Sequence, residues 1–369
     1  MTKIATLSYQ HAYNYGAVFQ VSALQHVITQ LGGKCDIIDY RCPAIDNQYN
    51  LKPIRMDSSF FSTIRSNLVL IPFIKQKKRN FHHWMESYKK TEPIESWEQL
   101  KSLNERYDIF VVGSDQVWNL KCQGYDNAFF LEFVDDNHKK VAYAASFGTY
   151  GVKDADKRIY SEYIGKFDSI SVRESRGIEL VKDFSGRDSI ACMDPVLLAG
   201  RDYWKSKADY SEMPQYDYIF VYQLGHDKML PRFVKSMKKE TRLKVIYVTG
   251  HIGNLIYYSI FDRNESSISP ERFLALLSQA KYVVTNSFHA SVLSILFQKQ
   301  FYVISKGGAE AAYNSRIFNL LNDYNLEDRI KEAYEDIYPI DDNRFSKIAE
   351  IHKKLSESSL LFLKSSLNL

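Results

Sequence analysis

The 369-residue sequence is short of the features that announce most enzyme classes. It has four cysteines, Cys35, Cys42, Cys122 and Cys192, with no CxxC pair and no Cys/His group at zinc spacing. That speaks against a disulfide framework or a structural metal and for reduced thiols in a reducing compartment. No stretch reaches the roughly 18 apolar residues of a membrane span. No GxGxxG follows a strand, so a dinucleotide cofactor is not expected. GxxxxGK[ST], GxSxG and HExxH are also missing, which removes P-loop, α/β-hydrolase and zincin chemistry. Neither sign of charge dominates: a formal net charge of +4 is too mild for a nucleic-acid binder, although it suits anionic substrates.

What is there reads as an ordinary globular chain, with 45% hydrophobic and 25% charged residues and enough length for two domains. A core of that size needs no covalent staples. Ile4–Ser8 reads as a buried strand and not as a signal peptide, so a cytoplasmic protein is expected. Aromatic residues, among them 26 Tyr and 22 Phe, serve either as packing or as sugar platforms, and composition does not separate the two.

Short apolar runs alternate with helical patterns, the signature of βαβ units and a parallel sheet. Strand Ile4–Ser8 leads through His11–Gly16 into a helix with Val18, Val21, Leu24, Ile28 and Leu31 on one face, closed by Gly32-Gly33. Strands follow at Cys35–Tyr40, Asp108–Gly113, Lys140–Ala145 and Ile170–Arg173, and then at Tyr218–Tyr222, Lys244–Thr249, Tyr282–Thr285 and Phe301–Ile304. The stretch Pro43–Glu105 looks less regular, with a basic and aromatic run at Phe73–Trp84. The expected fold is α/β: two Rossmann-like domains, residues 1–160 and 161–340, face a cleft. An amphipathic tail, 341–369, follows them as a terminal helix. In such sheets ligands bind beyond the carboxyl ends of the strands.

Three polar clusters fall at those ends. Gly113–Asn119 follows a strand: Asp115 offers a base or a sugar ligand and Trp118 a stacking face, against the plainer reading of a capped turn with a buried ring. Thr285–Ala290 joins a strand to a helix, so its N–H groups and dipole suit an anion, with His289 in the first turn. The plain reading there is Ser287 as a simple cap. Arg173, before Glu174, presents a fork suited to carboxylate or phosphate, or else a surface ion pair.

These strings resemble the polysaccharide pyruvyl transferase family from about Lys3 to Arg329. The likeness is carried by Tyr13–Ala17, Leu24-Gln25, Tyr107–Asn119 (YDIFVVGSDQVWN), Val141–Gly148, Ile170–Glu174, Met193-Asp194-Pro195, Val284–His289 (VTNSFH), Asn314-Ser315-Arg316 and Leu326–Arg329. The family usually has Gly after the histidine, where this chain has Ala290. The resemblance implies a fold like that of the two-domain (GT-B) glycosyltransferases, with the C-terminal helix 341–369 crossing back onto the first domain, and phosphoenolpyruvate as a co-substrate in place of any cofactor or metal. His289 would be catalytic, with Asp115 as the base. Arg173, Asn286, Ser287 and Phe288 would hold the donor, and Asn14, Tyr15, Ser114, Trp118 and Asn119 the sugar acceptor. The acceptor would be a galactose-like hexose of a lipid-linked or polymeric glycan, and Phe73–Trp84 is either a solvated charged helix face, the plainer reading, or a contact with the inner face of the membrane. A nucleotide-sugar-dependent glycosyltransferase of the same architecture, or an inactive glycan-binding homologue, are the competing readings.

Overall fold

The computed structural model describes residues 2–49, 60–148, 151–225, 227–250, 261–305, 311–334 and 337–369, without the side chains of 60–70 and 311–315. Among the described residues twelve strands form two sheets. Strands β1 (Lys3–Leu7), β2 (Lys34–Ile37), β3 (Ile109–Gly113), β4 (Lys139–Ala145), β5 (Ser169–Val172) and β6 (Ile190–Ala191) are ordered β2-β1-β3-β4-β5-β6. Strands β7 (Tyr218–Gln223), β8 (Lys244–Thr249), β9 (Arg263–Asn264), β10 (Tyr282–Thr285), β11 (Gln300–Ile304) and β12 (Ile330–Lys331) are ordered β12-β11-β10-β7-β8-β9. Every pairing is parallel. The central strands β3 and β7 are buried along their whole length, which is why their sequences run apolar without alternation.

The change of sheet falls later than the 160/161 division expected from sequence. Strands β5 and β6 pair into the first sheet, so Arg173 belongs to the first half, and the second sheet starts at Tyr218. No composition shift marks the true boundary, because β5 is simply the next βαβ partner of β4.

The irregular stretch also holds more structure than its pattern suggests. Helix α1 (Tyr15–Gln30) is followed by a short α2 (Pro43–Tyr49) and a 27-residue α3 (Phe60–Glu86) with Pro72 inside it. On α3, Ile74, Lys77, Phe81 and Trp84 are buried at helical spacing. The aromatic rings of this run therefore face the protein, and its outward face carries Lys75, Arg79, His82 and His83. Lys77 is the exception on the inner stripe. Its Nζ donates to Thr249 O at 3.3 Å and lies over the rings of Tyr15 and Phe81, and burial pushes its pKa down to about 8.

Both halves share one apolar core. Tyr15, Phe19, Phe81 and Trp84 from the first pack with Trp204, Tyr222 and Phe273 from the second, and Tyr15 stacks on Phe273 at 4.3 Å. The C-terminal helix Asp342–Leu367 starts against the second half through Ile348. It ends with Leu363 and Leu367 in the core of the first, beside Ile4 and Val27. Among the described residues no helix is long and apolar enough to cross a membrane, and no group of three or more His, Cys, Asp or Glu side chains is placed to hold a metal ion.

Candidate functional site

In each sheet the strand order reverses once, between β1 and β3 in the first and between β7 and β10 in the second. These reversals open crevices at the carboxyl ends of the strands. Helix α1 starts beside the first crevice, and helix Phe288–Leu296 starts beside the second. The two helix starts meet: a Cβ built on Gly16 would lie 2.1 Å from His289 Nδ1. Only a glycine lets the imidazole sit this close to the α1 backbone. Gly16→Ala is therefore expected to push the His289 ring out of place and to cost about 1–3 kcal/mol by overpacking. Chemical denaturation and the His289 ring signals in an NMR spectrum check this, and unmoved signals would show that the ring is not seated against Gly16.

Asp194 is the hub of the site. It caps the short helix Pro195–Leu198, with Oδ1 accepting from Val196 N at 2.9 Å. Its other oxygen, Oδ2, accepts from Arg173 Nη1 at 3.1 Å and lies 3.5 Å from His289 Nε2 and 3.3 Å from Ser114 Oγ. Burial alone would raise the pKa of this carboxyl. The His289 and Arg173 charges, and the bond from Val196 N, outweigh burial and hold it well below the usual carboxylate range. Arg173 is buried among three carboxylates. Its Nε donates to Glu174 Oε1 at 2.9 Å, Nη1 reaches Asp194, and Asp115 Oδ1 stands 4.0 Å from Nη1. Burial opposes its charge, yet Glu174, Asp194 and Asp115 raise its pKa further. The Phe288 ring covers the guanidinium at 4.4 Å.

A hollow of about 70 Å³ opens beside this network, lined by Arg173, Asp194, Phe288, Arg316 and Ser359 among others. Arg316 is partly buried, with its Nε fully covered, and desolvation together with the nearby Arg173 lowers its pKa. His289 is not among the lining side chains, since its ring stands beyond Asp194, between that carboxylate and Gly16. Three buried nitrogens here have no hydrogen-bond partner: Arg173 Nη2, Arg316 Nε and His289 Nε2. An unsatisfied buried donor costs about 1–3 kcal/mol, so such a group invites an acceptor.

The other residues singled out from sequence fall into two sets. Phe288 joins the hollow, and Asp115 joins the Arg173 network from a left-handed backbone position, φ 71°. Ser287 caps its helix by accepting from Ala290 N at 3.4 Å, and Ala290 itself is buried in the shared core. Asn286 is turned away to the β7/β10 crevice, where it clamps Leu224 with bonds of 2.7 and 2.9 Å. The residues expected at the acceptor are mostly structural. Asn14 caps α1 and Asn119 caps helix Leu120–Gln123. Tyr15 is core, with its hydroxyl donating to Ile268 O at 2.9 Å. Trp118 is 0% exposed among Phe130, Phe147 and Phe167, so it offers no free face to a sugar. Ser114, also 0% exposed, shares its one proton between Ala144 O at 3.0 Å and Asp194. Sequence reasoning gave no role to Gly16, Asp194, Glu174 or Arg316. Their signal was their place in the strings that carry the family likeness.

Two parallel Rossmann-like sheets, a site where their crevices face each other and a C-terminal helix that returns to the first sheet define a GT-B-like α/β protein. A putative UDP-N-acetylglucosamine 2-epimerase from Listeria monocytogenes shares this fold, with a TM-score of 0.50 at 10% identity over 96% of this chain and 90% of that one. Staphylococcus aureus MnaA solved with UDP aligns at 0.49 and 12% identity over 99% and 91%. Escherichia coli ADP-heptose LPS heptosyltransferase II aligns at 0.39 and 12% over 96% and 99%. No curated protein sequence matches the chain. The family model for polysaccharide pyruvyl transferase matches residues 14–306, most of the chain, and the protein belongs to that family.

Proposed function

We propose that the protein moves pyruvate from phosphoenolpyruvate onto a hexose of a glycan as a cyclic ketal and releases phosphate. The observation that carries this reading is the pair of partnerless buried donors beside the hollow, Arg173 Nη2 and Arg316 Nε, next to a His289 that pairs with Asp194 at 3.5 Å. Phosphoenolpyruvate brings a carboxylate and a phosphate close together, and two guanidinium groups suit that pair.

In this scheme Arg173 and Arg316 hold the anionic groups, with Phe288 fixing the Arg173 plane. His289 stands beyond Asp194, so the donor's vinyl end must extend past that carboxylate to the imidazole. The imidazole gives the vinyl carbon a proton, and C2 becomes electrophilic. One sugar hydroxyl adds to C2, the C2–O bond to phosphate breaks, and a second hydroxyl of the same sugar closes the ring. The two hydroxyl protons balance the step: one replaces the proton delivered to the methyl group and the other leaves with hydrogen phosphate. Asp194 stays ionised and orients the imidazole, as a buried carboxylate does beside a proton-carrying histidine. Asp115 takes the hydroxyl proton. No step requires a metal.

Incubation with phosphoenolpyruvate and a galactose-containing acceptor tests the reading. The expected result is phosphate release with an acid-labile gain of pyruvate mass on the sugar. Turnover with a sugar nucleotide and none with phosphoenolpyruvate would replace it with the glycosyltransferase reading.

A further inference from the structure

The C-terminal helix does more than clasp the first half. Leu355, Ser358 and Ser359 stand on the wall of the hollow, beside Arg173 and Asp194. Ser359 is 1% exposed and shares the buried stripe of this helix with Leu363 and Leu367, at successive spacings of four residues. A hydroxyl is unexpected on that stripe. Serine is a weaker helix former than alanine, and a side chain that bonds back onto its own helix weakens it slightly. Ser359 does so, since its Oγ donates to Leu355 O at 2.9 Å. The same oxygen accepts from Met193 N at 3.0 Å. The proton and a lone pair of this hydroxyl are thus both engaged inside the protein, so Ser359 acts through the chain it holds and not on a ligand.

That chain is the approach to Asp194. The carbonyl of Met193 is held as well: it accepts from the hydroxyl of Tyr143, a fully buried residue of β4, at 3.0 Å. One residue earlier, Cys192 N donates to Val172 O of β5 at 2.9 Å. After edge strand β6 the backbone is therefore pinned to β5, to β4 and to the C-terminal helix before it delivers Asp194. Downstream the ties are local. Asp194 O accepts from Leu197 N at 3.0 Å, and Oδ1 accepts from Val196 N, both within the short helix that follows. The upstream pins are what place the carboxylate relative to the rest of the site, and Ser359 supplies the pin from outside the sheet.

The pair served by this approach is sensitive to placement. Asp194 Oδ2 lies 3.5 Å from His289 Nε2, longer than the roughly 3 Å of a good hydrogen bond. A misplacement of about 1 Å in such a constellation can cost on the order of 100-fold in rate.

We propose that Ser359 is a positioning residue for the reaction: through the Met193 peptide, the C-terminal helix sets where Asp194 stands against His289. This rests on the pyruvyl transfer reading for the chemistry that the imidazole performs. Ser359→Ala removes the acceptor of a buried N–H, and the Met193–Asp194 segment should shift. In full-length protein with labelled histidine, the His289 ring signals should then move in NMR spectra recorded without any substrate. With phosphoenolpyruvate, kcat should fall about 10- to 100-fold while the donor KM stays within about threefold. Donor binding is spared because Arg173 Nε keeps its bond to Glu174. Ser365→Ala is the control, since that exposed hydroxyl bonds to its own helix at Phe362 O, and it should move neither quantity.

A double-mutant cycle reads the route. In an Asp194→Asn background, Ser359→Ala should lower turnover by less than about twofold more, because the carboxylate it positions is already gone. A fully additive loss, unmoved His289 signals, or a loss carried by KM alone would each overturn the proposal. Tyr143→Phe frees the other side of the same peptide and should move the same signals, which keeps the proposal testable if Ser359→Ala fails to fold. The ring signals need no turnover. Signals that move in a protein inert toward phosphoenolpyruvate leave the positioning role standing and overturn the donor reading. Native turnover with unmoved signals in the variants overturns this proposal alone.

Discussion

Arg173→Ala is expected to abolish turnover, by 1000-fold or more, and to destabilise the fold by about 3–5 kcal/mol, the cost of leaving buried charge without its partner. Arg173 is the cation shared by Glu174, Asp194 and Asp115. Without it three carboxylates face each other in a water-poor pocket. The pH dependence should change sign. In the native protein Asp194 has a folded pKa below its unfolded value of roughly 3.9, so its contribution is present above that pH and is lost as pH falls below it. In the variant the carboxyl pKa values rise above their unfolded values, so the folded state binds more protons and gains stability as pH falls from 7 toward 5. Urea denaturation at several pH values reads both effects, and phosphate release from phosphoenolpyruvate reads the first. Arg173→Lys keeps the charge but not the planar fork. It should recover stability better than turnover.

His289→Ala is expected to reduce turnover by about 100- to 10,000-fold, the usual weight of a general acid–base group, with donor affinity altered only a few-fold. The asymmetry follows from position: the imidazole stands beyond Asp194, while the hollow itself is lined by Arg173 and Arg316. Single-turnover kinetics with phosphoenolpyruvate, alongside donor binding by calorimetry, separate the two quantities. Full turnover in this variant would remove His289 from the chemistry. A matching loss of donor binding would make it an anion ligand.

Most of the fold was legible because parallel strands buried on both faces leave continuous apolar runs, and the helices between them keep a clear period. Helix α3 was not, since Lys75, Lys77, Lys78, Arg79 and Pro72 hide its inner stripe of Ile74, Phe81 and Trp84. Arg173 and His289 were legible as polar residues at strand ends, and Phe288 only through the family likeness. Asp194 was not, because before a proline it reads as a helix cap, which it also is. Its second oxygen acquires a role only when β5, the Phe288–Leu296 helix and the β3 loop converge. Tyr15 and Trp118 misled for a related reason. A ring beside a motif looks the same in sequence whether it faces a sugar or fills a core, and here both fill cores.

The aromatic packing between Tyr15, Phe19 and Phe273 ties the two sheets into a single body. Swinging the halves apart like a clamshell would strip cover from several large rings, at on the order of 2–3 kcal/mol each. Such a hinge is glued shut. Reactants must reach Asp194 past the rim of the crevices, and the size of an admissible acceptor is set by that doorway and not by any wide gape of the molecule.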